Sequence, residues 1–381
     1  MNAPQRLPGF AHPRPGATPD TGVTARLASL ATAVPRHRVT QAEARENARM
    51  IFADRTPLFE SLEPVFDNAE IAARYSCQPI GWFAKPSGFA EKARLYERHA
   101  VALSLDAAGR ALDGAGLDAS EIDAIVCVSS TGVMTPSLDA HLVNRLPLRP
   151  DTLRLPIFGL GCAGGVLGLT RAAQLARSRP GMKCLLVVVE LCTLAFRHDR
   201  LTKSNLVATA LFGDGAAAAI VTSGGAPDAP GALGAGGEHC WPDTLDVMGW
   251  RVDGQGLDVI FHRRIPEIVA TDFAGALNGF LARAELRLED FARPCCHPGG
   301  VKVVAALEEV FGLGQGGLDF ERQVLAEFGN MSAPTVLFVL DRIVQAGLSG
   351  PLLLSALGPG FTAAFQTVEP VPDGRARRDS G

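Results

Sequence analysis

Stretches that are apolar from end to end restrict this fold more than any other feature. Residues 124–129 (AIVCVS) and 183–191 (KCLLVVVEL) lack the alternation of a strand with one wet face. Successive side chains on a strand point to opposite faces, so such strands are buried on both. Strands are also expected at 26–34, 212–222, 352–357 and 362–368. Small residues in FGDGAAAAIVT (212–222) imply that another layer packs tightly there. Helical periodicity occupies 40–54, 90–116, 266–286, 301–311 and 320–328, and parts of 58–75, with loops at 82–88 and 131–137. Alternation of buried strands with helices predicts an α/β protein with sheets covered on both faces.

The chain has 381 residues, 47% hydrophobic and 20% charged, with a formal net charge of -4. That bounds it to one large or two medium globular domains. Weak acidity leaves no footprint for nucleic acid, and a phosphate-bearing ligand would need a local basic patch. The longest apolar candidate for a membrane span, 184–196, is short and carries Glu190. Residues 1–22 are rich in Pro and Gly, lack the apolar core of a signal peptide and read as a disordered tail, as do 373–381. The Gly/Ala/Pro run at 223–237 marks a boundary between an N-terminal half, 23–222, and a C-terminal half, 223–372. Eight cysteines in so long a chain do not form a disulfide scaffold; several lie inside apolar runs, as in a reduced cytoplasmic protein.

Each half carries a glycine-led reactive residue ahead of a buried helix. In FGLGCAGGVLGL, the apolar run 155–158 leads into Cys162, expected where a buried strand turns into a helix. Free N–H groups and the helix dipole at such a turn favour a thiolate, and the flanking glycines admit a second backbone or a substrate. The second half offers Gly329-Asn330 before a helix starting near Met331, and His297 where PCCHPGG breaks a strand. Together they form a chemical set: a cysteine nucleophile, a histidine base and donor, and an asparagine donor aimed at an oxyanion. Each also has a plainer reading. Cys162 fits a packing turn, His297 a hydrogen-bonded core histidine and Asn330 a helix cap. Cys295, Cys296 and His297 with His239 and Cys240 match no zinc spacing.

GLGCAGG, LFGDGAAAAIV, HPGG, GNMSAPTVLFVL and GPGF, in that order, resemble the motifs of chalcone-synthase-like type III polyketide synthases over about residues 24–368. The style is similar to bacterial alkylpyrone and alkylresorcinol synthases. The resemblance implies a thiolase-like α/β fold, two similar βαβαβ-type halves in a five-layer αβαβα arrangement, working as a cytoplasmic homodimer. It implies that Cys162 takes an acyl group from an acyl-CoA starter. Malonyl-CoA then loses carbon dioxide while His297 and Asn330 stabilise the enolate, and repeated condensation precedes ring closure. No cofactor or metal is implied, CoA thioesters being substrates; an acyl carrier protein is an alternative carrier of the starter.

The same mapping places Phe212 between a CoA tunnel and the cavity, with Phe261 as a second gate. Ser130, Glu190 and Ser332 fall where some members form a relay that activates water, although Glu190 equally suits a structural hydrogen-bond role. Gly358, Pro359 and Gly360 would shape the cavity wall, and Arg74 and Lys302 are candidates for the CoA phosphates. Ala195 and Thr135 stand where plant members often carry Thr and Met. The lost bulk, at Thr135 on a residue that would reach across the dimer, suits a medium or long aliphatic starter. Two rival readings share parts of this picture: a β-ketoacyl-acyl carrier protein synthase III-like single condensation, and a non-catalytic acyl-binding subunit.

Overall fold

The structure is a computed structural model that describes residues 23–224, 229–347 and 350–369. The two tails inferred from the sequence lie outside the described residues. The chain opens with β1 (Ala25–Ala33) and β2 (His37–Thr40). Thr40 caps α1 (Gln41–Phe52) reciprocally: its hydroxyl accepts from the Glu43 N–H while the Glu43 carboxylate accepts from the Thr40 N–H. Short α2 (Leu58–Leu62) and α3 (Val65–Asn68) precede β3 (Ala73–Ser76), so the partly helical 58–75 ends in a strand paired with β2. The loop at 82–88 begins as a tight helical turn, Ile80–Ala84. Helix α4 (Phe89–Ala115) stops at Gly116 in the left-handed region, φ 63°. The first half continues through β4 (Ala124–Val128), α5 (Leu138–Arg145), β5 (Leu153–Ile157), α6 (Gly164–Arg177), β6 (Lys183–Leu191), α7 (Lys203–Leu211) and β7 (Asp214–Thr222).

The second half begins with β8 (Gly231–Cys240) and the hairpin β9 (Met248–Asp253) and β10 (Gly256–Phe261). Then come α8 (Ile265–Arg283), β11 (Arg293–Cys296), α9 (Val301–Val310), α10 (Asp319–Phe328), α11 (Thr335–Gln345), β12 (Leu352–Gly358) and β13 (Thr362–Glu369). Much of the 223–237 run is therefore strand. β8 lies in the sheet between β13 and β1, because its small residues admit close neighbours: a Cβ at Gly237 would meet the Phe280 ring at 2.6 Å.

Strand order is β11-β12-β13-β8-β1-β7-β6-β4-β5, and three residue pairs between β1 and β8 join two half-sheets. Alternate side chains sort into separate cores. Val126, Leu186, Ala219, Leu354 and Ala364 share one core with Val166 and Leu169 of α6 and Val336 and Leu340 of α11. Ile125, Leu185 and Ile220 face α4 and α5 instead, and Leu353, Ala363 and Phe365 face α8 and α9. These are the three large cores among the described residues, and they separate five layers, with α6 and α11 sandwiched between the half-sheets. Full burial of each Val or Leu side chain there contributes about 1.5–3 kcal/mol, which explains the uninterrupted apolar runs. One strand departs from expectation. β5, taken as buried, is an edge strand whose Leu153 is 55% exposed, and Phe158 just after it is 61% exposed.

Candidate active site

The paired central helices bring the two reactive turns together. Gly165 in α6 is needed for that approach, since a Cβ there would fall 2.2 Å from the Ala333 carbonyl oxygen ahead of α11. Cys162 sits in a single tight helical turn, Gly161–Ala163, just before α6. The Ser130 hydroxyl accepts from the Gly159 and Gly161 N–H groups at 3.2 and 3.1 Å, which fixes this turn. From the other side, Gly358 packs on the Leu160 carbonyl and Ala163, and the Pro359 ring packs on Gly161. Gly358 and Pro359, expected on the cavity wall, thus brace the nucleophile turn, while the carbonyl of Gly360, expected there too, accepts from the Cys240 thiol and the Thr244 hydroxyl. Ala356 and Leu357, just before them, line the cavity.

Cys162 is 7% exposed, and its Sγ lies 3.4 Å from Ser332 Oγ. Burial pushes its thiol up to about 12. Loss of solvent thus works against the thiolate that the helix terminus favours. Burial likewise pulls His297 down to about 3, leaving a neutral imidazole. The backbone of His297 donates to Ser355, whereas neither ring nitrogen has a partner among the described residues.

Asn330 is held on three sides. Its N–H donates to the Leu211 carbonyl, and its own carbonyl accepts from Gly213. Its Oδ1 accepts from the Ser332 N–H at 2.8 Å, and Nδ2 donates to the Gly299 carbonyl at 3.0 Å. One Nδ2 hydrogen is left to point elsewhere. Ser332 has φ 60°, a costly conformation for a non-glycine residue. That kink delays the helix: α11 starts at Thr335, not near Met331, and Thr335 Oγ1 accepts from the Met331 N–H.

Cys162, His297 and Asn330 all line one cavity of about 470 Å³. Phe261 lines it too, and exposed Lys302 stands among its lining residues with exposed Lys203 and Arg263. The last two were missed in the sequence because single basic residues on loops and helix starts carry no pattern. Arg74 is not with them. It is 4% exposed and lines a second cavity, of about 60 Å³, so it lies away from the surface where CoA phosphates would bind. Phe212 and Ala195 line this smaller cavity as well, and the Phe212 ring packs on Phe261 and Trp250 at centroid distances of 5.5 and 5.9 Å. The Phe212–Phe261 pair therefore stands between the two spaces.

The relay of Ser130, Glu190 and Ser332 is not assembled. Glu190 accepts from the Ser130 N–H at 2.9 Å, from Thr131 Oγ1 at 2.6 Å and from Ser129 Oγ at 3.4 Å, while Ser332 meets Cys162. Burial raises Glu190 to about 7 against these donors. Asp214, in the LFGDG motif, is a similar buried clamp missed in the sequence: it accepts from the Cys77 and Thr193 N–H groups, each at 2.8 Å. Thr135, which precedes a cis proline, is exposed. Cys295 and Cys296 face different cores, and the described residues contain no cluster suited to a metal.

Half-sheets around two central helices, with thiol, imidazole and carboxamide on one cavity, define a thiolase-like acyltransferase. Residues 17–225 match the family described as chalcone and stilbene synthases, N-terminal domain, and residues 234–366 match its C-terminal domain. The chain belongs to this family, the type III polyketide synthases. It is 38% identical over 351 residues to a 1,3,6,8-tetrahydroxynaphthalene synthase of Streptomyces peucetius, covering 89% of this chain and 91% of that one. An alpha-pyrone synthesis polyketide synthase-like protein of Mycobacterium tuberculosis is 29% identical, covering 91% of each chain. The crystal structure of the Streptomyces coelicolor 1,3,6,8-tetrahydroxynaphthalene synthase superposes with a TM-score of 0.85 at 30% identity, covering 91% of this chain and 99% of that one.

Proposed function

We propose that the protein extends an acyl group on Cys162 by repeated decarboxylative Claisen condensation with malonyl-CoA, and that the chain then cyclises to an alkylpyrone, alkylresorcinol or related phenolic. The observation that carries this reading is the shared cavity of Cys162, His297 and Asn330. His297, whose ring nitrogens have no partner among the described residues, takes the thiol proton as sulfur attacks the starter thioester, and CoA leaves with a proton. Malonyl-CoA next loses carbon dioxide, and its enolate oxygen accepts from the imidazole N–H and the remaining Asn330 N–H. Each such donor lowers the barrier by about 2.7–4 kcal/mol. The enolate carbon then attacks the Cys162 thioester.

A medium or long aliphatic starter is part of the proposal. Leu62, Val65, Val207, Met248, Phe273 and Leu307 give the larger cavity its apolar lining. Lys203, Arg263 and Lys302 suit the CoA phosphates. A homodimer fits the exposed edge of β5, with Leu153 and Phe158 uncovered and Thr135 exposed on the loop after β4. Eight free cysteines suit a reducing cytoplasm. The division at 223–237 into two halves belongs to the same reading.

The test supplies malonyl-CoA with acyl-CoAs from six to twenty carbons and identifies products by mass spectrometry. Several extensions followed by a ring are expected. A single extension would point to the synthase III-like alternative, and strict preference for an aromatic starter would reject the aliphatic one. Acyl groups on a carrier protein, run in parallel, report which donor is used, and light scattering reports the dimer.

A further inference from the structure

The His297 imidazole has no hydrogen bond of its own to aim it: neither ring nitrogen has a partner among the described residues. A histidine that must present one nitrogen in a fixed direction is commonly oriented by a partner on the other. Here the backbone takes over that task. β11 stands at one end of the sheet and pairs only with β12 among the described strands. The His297 N–H donates inward, to the Ser355 carbonyl of β12 at 2.8 Å. The Cys296 N–H finds its acceptor in a side chain, Glu321 Oε1 at 2.9 Å. A carboxylate is a costly acceptor there, because Glu321 is fully buried on the first turn of α10. Burial works against its ionisation, while the Cys296 N–H and the charge of Arg293 favour it. Arg293, at the start of β11, donates to Glu321 at 3.1 Å and to Asp319 at 3.0 Å, and its guanidinium carbon lies 4.7 Å over the Phe320 ring centroid.

α10 carries this grip to the second donor. It ends at Phe328, and Gly329 and Asn330 follow directly. There the Asn330 Nδ2 donates to the Gly299 carbonyl at 3.0 Å, and a Cβ added to Gly299 would lie 3.7 Å from His297 Nε2. The contacts close a circuit: Glu321 to Cys296, along the chain through His297 to Gly299, across to Asn330, and back down α10. We propose that Glu321 is a positioning residue for decarboxylation: by holding the Cys296 N–H, with Arg293 as its counter-ion, it fixes the direction of the His297 imidazole relative to the Asn330 carboxamide. This rests on His297 and Asn330 being the donors to the enolate. Such donors act only when they already point where charge develops, so a small displacement forfeits much of their effect. Glu321 is absent from the lining of both cavities and reaches the chemistry only through its neighbours.

Steady-state decarboxylation of malonyl-CoA and alkylation of Cys162 by iodoacetamide, measured side by side, test this. Glu321→Ala should lower kcat for decarboxylation by about tenfold or more, with KM and the alkylation rate within about twofold of the wild type. Glu321→Gln, which keeps an acceptor for the Cys296 N–H, should recover part of that rate. Placed on a His297→Ala background, Glu321→Ala should add less than about a further twofold loss, because no imidazole is left to aim. If Glu321→Ala fails to fold, Arg293→Met combined with Glu321→Met removes both charges together and should show the same pattern. An unchanged kcat in the folded variants, a glutamine variant no better than the alanine one, or the full tenfold loss repeated on the His297→Ala background would overturn the positioning role. So would equal loss of decarboxylation and alkylation, which would leave Glu321 a part of the scaffold alone. Undiminished decarboxylation in His297→Ala by itself would overturn the donor assignment as well.

Discussion

The turn before α6 and the turn before α11 occupy matching places in the two halves, yet they are held by opposite means. The Cys162 turn is gripped from outside, by the Ser130 hydroxyl on one side and by Gly358 and Pro359 on the other. The Asn330 turn is held from within: the Ser332 N–H takes the amide oxygen, and a left-handed Ser332 forces the kink. The difference follows from what each atom must do. On the proposed function a nucleophile is acylated and released many times, so its backbone is fixed while its sulfur keeps only the contact with Ser332. A donor must already point where charge develops, so its side chain itself is fixed.

Four experiments break or sharpen this contrast. Replacing the sulfur, Cys162→Ala, is expected to lower product formation by on the order of 10⁴-fold or more, the scale seen when a covalent nucleophile is removed. Product quantification checks it, and survival of chain extension would end the assignment. The second concerns the resting thiol. With Cys162 pushed up to about 12, alkylation by iodoacetamide should rise close to tenfold per pH unit between about 7 and 10, because only the thiolate reacts. A flat profile across that range would mean the sulfur is already ionised.

On the donor side, His297→Ala and Asn330→Ala should each slow malonyl-CoA decarboxylation by about 10²–10³-fold. Asn330→Ala should change the alkylation rate of Cys162 far less than it changes decarboxylation, since the carboxamide reaches the thiol only through Ser332. Equal losses in both assays would merge the two roles. The smallest effect is expected at Ser130→Ala, which leaves two N–H groups of the nucleophile turn without their acceptor. Stability should fall by about 1–3 kcal/mol, read from denaturant unfolding, with a lesser change in turnover. A large loss of turnover at unchanged stability would instead give the hydroxyl a chemical role.

Much of the scaffold was legible in the chain. The helix opening at Thr40, the helix ending at Gly116 and the double-sided burial of β4 and β6 are local or periodic features, and all stand in the structure. Misreadings occurred where a residue's type says nothing about its neighbours. Leu155 and Ile157 look the same in an edge strand as in a central one. Arg74 carries the composition of a surface residue and lies in the interior, because it sits on β3 against α7, where the Thr209 carbonyl accepts from its Nη1. Glu190 and Ser332 are each hydrogen-bonded, but to different partners.

The sequence by itself determined the layers and singled out the three side chains that meet on one cavity, because apolar periodicity and glycine-led turns act over a few residues. Only the tertiary structure decided that the thiol is buried against Ser332, that Arg74 lies in the interior, and that Gly358 and Pro359 brace the nucleophile turn. Those outcomes depend on desolvation and on contacts between residues more than a hundred positions apart, and neither is encoded in any local stretch of chain.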